Sequence, residues 1–291
     1  MTRRRAVLAM VVVTLLWSMA GVVTRQLESA RSFEVAFWRS LFLVAALALF
    51  SCADGGPLRH ARGALRGGRT LWISGLAWGV MFTAFMVALT LTTVANALVT
   101  MALAPFLSAF CARVAFGERI GGRTAGAALV AGLGIVWMFA HELEGSDARH
   151  RLGFLIALAV PAAAAVNWTV IRHGTRAADA PDLRVAVAIG GLLSAVGTLP
   201  FALPFQASGH DLAWLALLGV AQLALPCLIA VEVAKVLSAP EVALIDLLEI
   251  VLGVAWAWLG AGETPPASAL LGGALVVGAL VANEALALRA E

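Results

Sequence analysis

The sequence predicts an all-α membrane protein of ten transmembrane helices in two inverted five-helix repeats. Three observations carry that prediction. The 291 residues are 62% hydrophobic and 13% charged, with a mean hydropathy of +0.94, whereas soluble chains carry roughly 45–50% apolar and about 25% charged residues. A soluble fold of this length could not hide so much apolar surface; a bilayer could. The apolar residues come in runs of about 20, the length a helix needs to cross roughly 30 Å of hydrocarbon. Finally, one passage is written twice. APFLSAFCARVAFGERIGGRTAGAALVAGLGIV from Ala104 and EIVLGVAWAWLGAGETPPASALLGGALVVGALV from Glu249 each run from an apolar stretch into Gly-Glu, a short break and a Gly-studded apolar stretch.

The first segment, 6–24, follows Arg3-Arg4-Arg5. It could pass for a signal peptide with Ser18-Met19-Ala20 as its cleavage site, but it is long enough to span and opens a series, so it reads as an uncleaved helix. Trp17 lies about 16 Å into it, where an indole could line an apolar path or stack on an aromatic substrate. The second segment, 35–52, carries Arg39 roughly 7 Å deep. A guanidinium fork suits a carboxylate, although a side chain snorkelling to the outer surface is the favoured alternative. The third, 71–90, holds Trp78 about 10 Å deep with Phe82 one turn on, and Gly75 and Gly79 form a close-packing face. The fourth, 94–114, contains Asn96, and the sixth, 153–172, contains Asn167; interhelical hydrogen bonding is the first reading of both. Segments 122–140, 184–204, 212–231 and 268–287 complete the fifth, seventh, eighth and tenth spans. The ninth, 240–260, places Asp246 and Glu249 on one face, with Glu249 about 13 Å deep, close to midplane. A carboxylate there could meet a substrate ammonium, carry a proton, or sit in a fixed ion pair with Lys235 or Arg39; Asp246, shallower, reads first as structural.

Orientation follows from Lys and Arg, which favour the cytoplasmic side. With the N-terminus inside, 15 basic residues fall on the cytoplasmic side and 4 (Arg25, Arg31, Arg149 and Arg151) outside, with Arg39 within a span. Both termini are therefore expected in the cytoplasm. Glu118 matches Glu263 at a separation of 145 residues, so each copy covers half the chain, 1–145 and 146–291. Five crossings per copy force the second copy in from the opposite side, the inverted repeat that recurs in secondary transporters with a site near midplane. Cys52, Cys111 and Cys227 read as free, buried thiols. The net charge of +3 is too dilute to indicate a nucleic-acid partner, and no cofactor or metal-ligand spacing is present in the sequence.

Leu16-Trp17-Ser18, Phe37-Trp38-Arg39-Ser40-Leu41, Ala95-Asn96-Ala97 through Pro105, and Phe116-Gly117-Glu118-Arg119 together resemble the drug/metabolite transporter superfamily. Within it the chain is most similar to the ten-helix EamA-type exporters, and among those to the YddG branch. The resemblance implies export of aromatic and other neutral amino acids. The chain departs from many relatives at Ile250, where they carry Pro after Glu, so a kink in the ninth helix does not follow from the resemblance.

The expectation is an inner-membrane carrier, monomer or homodimer, whose partners are a small-molecule substrate and the lipid bilayer. It would move small metabolites by alternating access, through a cavity bordered by Trp17, Arg39, Trp78, Phe82, Asn96, Asp246 and Glu249. A drug or other metabolite exporter of the same superfamily is the alternative. An intramembrane lipid-modifying enzyme is much less supported: Asp246 with Glu249 is the one faint catalytic candidate, and no enzyme is expected.

Overall fold

In the computed structural model, residues 1–52, 68–117, 121–143, 147–174, 183–233, 236–237 and 239–288 are described. Glu118 and Lys235 lie outside them. Among the described residues ten helical spans succeed one another in order: α1 (Arg3–Thr24), α2 (Ser32–Cys52), α3 (Gly68–Leu91), α4 (Val94–Phe116), α5 (Gly122–Leu143), α6 (Ala148–Gly174), α7 (Leu183–Ala202), α8 (Gly209–Val233), α9 (Ala239–Ala261) and α10 (Ala267–Leu288). Seven are long and apolar enough to cross a membrane; Gly122–Met138, Leu248–Ala261 and Ala267–Asn283 are shorter apolar stretches of the other three. Each expected segment is therefore a helix, with ends a few residues beyond the apolar run.

Local chemistry sets the ends and the irregularities. Thr93 caps α4 by accepting from Asn96 N (3.2 Å), and Ser208 with Asp211 forms a reciprocal capping box at the start of α8. The doubled Gly-Glu has a physical cause: Gly117 (φ 68°) follows α4 and Gly262 (φ 67°) follows α9, both in the left-handed conformation that ends a helix and that glycine adopts freely. Inside α4 the helix breaks at Ala102-Leu103. Pro105 cannot donate a hydrogen bond and crowds the carbonyl of Met101. Inside α8, Leu218–Ala224 is a π-helical turn; Pro226 likewise crowds the carbonyl of Gln222, and the turn widens to accommodate it. With Ile250 in place of Pro, α9 runs unbroken over Ala239–Ala261.

Hydrogen bonds at one end of the bundle display the inversion directly. The end of α1 (Arg25), the turn into α4 (Thr92, Val94), the start of α6 (His150) and the end of α9 (Glu263) meet there. The start of α2 (Glu34), the connection after α7 (Gln206, Ala207) and the start of α8 (Asp211) join them. Thus α1 ends where its counterpart α6 begins, and α4 begins where α9 ends. The packing obeys the same exchange: α3 lies along α6 as α1 lies along α8, and α2·α7 and α5·α10 are each their own counterpart. Small residues make these crossings close. A Cβ on Gly190 of α7 would stand 2.4 Å from Trp78 Cβ and 3.0 Å from the carbonyl oxygen of Gly75, and one on Gly79 would meet the Gly190 oxygen at 3.2 Å. The Gly75/Gly79 face thus packs as expected. Where α5 crosses α10, Gly134 and Gly272 each approach the other's carbonyl.

The three cysteines are free, but only Cys227 is buried; Cys111 is half-buried and Cys52, at the end of α2, is exposed. This corrects the expectation of burial for all three. An apolar span does not bury a thiol at its own last turn.

Candidate functional site

Arg39 is the centre of the polar interior. It is 2% exposed, which overturns the snorkelling reading: the second turn of α2 faces the bundle, not the surface. Its Nη2 donates to Gln222 Oε1 (2.8 Å), and Gln222 Nε2 donates to the Trp17 carbonyl (3.1 Å). The guanidinium carbon stands 6.0 Å from the Phe85 ring centroid on α3, within cation–π range. Arg39 Nε and Nη1 are buried with no hydrogen-bond partner. Glycine makes this approach possible. A Cβ on Gly219 of α8 would come 2.6 Å from the Arg39 carbonyl oxygen, so α8 touches the α2 backbone within the π-helical turn that delivers Gln222.

Glu249 on α9 is also buried and lies within electrostatic reach of both Arg39 and Asp246. Among the described residues neither carboxylate makes a hydrogen bond or ion pair, and Asp246 Oδ1 is buried without a partner. An ion pair closed directly between Arg39 and Glu249, one of the sequence expectations, is therefore not formed. The cluster draws α2 from the first repeat together with α8 and α9 from the second, and α1 closes it through Trp17, whose side chain is half-buried and packs against two core clusters.

The other expected residues make the following contacts. Trp78 and Phe82 pack on each other at a tilt (5.3 Å between centroids) in a core cluster that also takes residues of α2, α7 and α8 and against which Trp17 packs, with Trp168 of α6 edge-on to Trp78 at 6.0 Å. Asn96 is fully buried near the Arg25 end; its Nδ2 is 3.3 Å from Thr92 Oγ1 and 3.4 Å from His150 Nε2, joining α4 to α6. Asn167 accepts from Ser74 Oγ at 2.7 Å, joining α6 to α3. Both asparagines thus bond between helices, as expected.

The Arg25 end is closed by carboxylates that the sequence did not offer as site residues; Glu263 stood out only as a mark of the repeat. Arg25 Nε donates to Glu263 Oε2 (2.5 Å), and Glu263 Oε1 accepts from Val94 N (2.6 Å). Arg25 also donates to the carbonyls of Leu89 and Thr92, the latter at 2.9 Å. Two further carboxylates are buried outright. Glu34, at the start of α2, accepts from Gln206 N (2.9 Å) and Ala207 N (2.8 Å) ahead of α8. Asp211, at the start of α8, accepts from Glu28 N (2.8 Å), Ser29 N (3.0 Å) and Ala30 N (3.1 Å) ahead of α2. Each helix start thus holds the loop leading into the other. Sealing is uneven along α4: every residue from Val94 to Thr100 is buried, and that half packs on α9 and α10, whereas Phe110, Val114 and Phe116 beyond the break are 58%, 70% and 50% exposed.

The chain is similar to the EamA-like transporter family in two blocks, over residues 4–140 and 151–283. No curated protein matches it. Twenty-one chains of solved structures do; one crystal structure aligns over 100% of both chains with a TM-score of 0.66 and 21% identity, a likeness of fold alone.

Proposed function

Because the chain belongs to the EamA-like transporter family, and is thus a multi-pass membrane transporter of the drug/metabolite superfamily acting on small molecules, we propose that it exports zwitterionic metabolites. Aromatic and other neutral amino acids, the cargo of the YddG-like branch, are the first candidates. The observation that carries this reading is the cluster of buried Arg39, Gln222 and Glu249, with half-buried Asp246, between helices of both repeats. Ionisable groups at such depth are costly and mark substrate or ion pathways. A cation and two carboxylates that stay unpaired match the two ends of a zwitterion. Trp17 borders the same space; Trp78 and Phe82 support it from the α3–α7 core, and Asn96 from the closed end.

The repeats are taken as 1–145 and 146–291, and the basic asymmetry puts both termini in the cytoplasm and the Arg25 end outside. The structure then corresponds to a state sealed outside, with the inner half of α4 freer than its outer half. Rocking of α3, α4 and α6 against α1, α8 and α9 would part the outer seam and close the inner one. Counterflow of labelled phenylalanine, tryptophan and leucine in proteoliposomes tests the cargo. Exchange of a non-amino-acid metabolite in preference to all three would move the chain to another branch of the superfamily. Strong phosphatase activity from a fusion at Glu291 would refute the orientation.

A further inference from the structure

We propose that Gln222 is a positioning residue that takes one N–H of Arg39 Nη2 and leaves one edge of the guanidinium, Nε or Nη1 with the second N–H of Nη2, to receive a carboxylate of the cargo. This rests on reading the bundle interior as the transport site. Arg39 has five N–H donors and no acceptor, and in an apolar interior each unused donor is expensive. Of its nitrogens, Nη2 is bonded to Gln222 (2.8 Å), while Nε and Nη1 are buried with no partner. Gln222 is itself 4% exposed and committed on both sides: its oxygen accepts from Arg39 and its nitrogen donates to the Trp17 carbonyl. It cannot swing to satisfy a second guanidinium nitrogen without abandoning α1.

The backbone is shaped to hold Gln222 there. The π-turn Leu218–Ala224 inserts one residue into α8, which rotates the remainder of the helix by about 100° relative to an unbroken one. Gly219 lets that turn lie against the Arg39 carbonyl. Phe85 stands beside the guanidinium, and Glu249 is in electrostatic reach yet makes no ion pair with it. The two nitrogens are therefore enclosed without an acceptor in this conformation, and an acceptor on the cargo would satisfy them. A planar anion that accepts several hydrogen bonds, a carboxylate, is the chemistry that matches a guanidinium. Glu249 would remain for the ammonium end.

The test uses the full-length protein purified in detergent, titrated with three molecules of one shape: 3-phenylpropionate, 3-phenylpropionamide and 3-phenylpropylamine. Tryptophan fluorescence and unfolding temperature report binding. The wild type should bind the acid at least about tenfold more tightly than the amide. Gln222→Glu, which neutralises Arg39 from the Gln222 side, and Gln222→Met, which releases it, should both lose that preference, the ratio of acid to amide affinity falling to about one. A purely structural role would weaken acid and amide together. Equal binding of acid and amide by the wild type, no binding of the acid, or an acid preference surviving in both variants overturns the proposal. Phenylalanine counterflow, run in parallel, separates the two readings. Acid preference without exchange sinks amino-acid export and leaves Arg39 a carboxylate site; exchange without acid preference does the reverse.

Discussion

On the orientation proposed above, replacing Glu263 by Gln should loosen the outer seal without unfolding the protein. Glu263 and Arg25 belong to the α1/α9 side of the seam, and together they hold the α3–α4 turn on the other side. The cation meets the last carbonyls of α3 and the anion meets the first free amide of α4, each the favourable sign for that helix end. The side chains are 27% and 16% exposed, so the pair stands between surface bridges, worth roughly 0–1 kcal/mol, and buried ones, whose disruption costs about 3–5 kcal/mol. Gln keeps one acceptor oxygen but loses the charge. A loss of about 2 kcal/mol, roughly a 30-fold shift between sealed and open, is expected. Leu98→Cys supplies the reporter, since Leu98 is 2% exposed on α4 and packs across the seam against Gly253 of α9. In a background lacking Cys52, Cys111 and Cys227, an impermeant maleimide added outside should label it at least about tenfold faster in Glu263→Gln, with Glu263→Asp intermediate. Unchanged labelling at normal folded yield would refute the clamp, and a collapse in yield would make the pair a fold determinant instead.

On the cargo proposed above, Glu249→Gln should fold at wild-type yield and exchange amino acids poorly, because the carboxylate has no fixed partner to strand; reduced yield in detergent would show that it does. Asp211→Ala should lower the melting temperature by the equivalent of about 2–3 kcal/mol, since it unpairs the Glu28, Ser29 and Ala30 amides and the α8 cap together. An unchanged melting curve would remove Asp211 from the fold's supports. Gly190→Ala should cost about 1–3 kcal/mol through overpacking against Trp78 and the Gly75 carbonyl, whereas Gly126→Ala, which meets nothing within 4 Å, should be neutral. Similar yields for the two would contradict the packing.

The features legible in the sequence are those written in local signals. Runs of about 20 apolar residues locate all ten helices, and the repeated Gly-Glu locates both left-handed helix ends. The Gly75/Gly79 spacing locates a crossing. Partners distant in the chain are not legible. Arg25 and Glu263 are 238 residues apart and Arg39 and Gln222 are 183 apart, and nothing in either neighbourhood names the other. Glu34 and Asp211 carry the composition of ordinary helix starts, so their burial depends on where the opposite loop passes. Pro226 is a local signal of another kind. Inside the apolar run 212–231 it marks a helix that must widen or bend, and the widened turn is where Gln222 sits.

The reciprocal hold of Glu34 and Asp211 bears on how freely this chain can vary. Both carboxylates grip main-chain amides, those of residues 28–30 and 206–207, and a main-chain amide is the same whatever side chain hangs from it. Glu28, Ser29, Ala30, Gln206 and Ala207 can therefore drift through nearly any composition while the latch stays shut. Proline alone is barred from these positions, because it has no N–H to give. Selection on this rim falls on two acids, and the loops they fasten are left open to change.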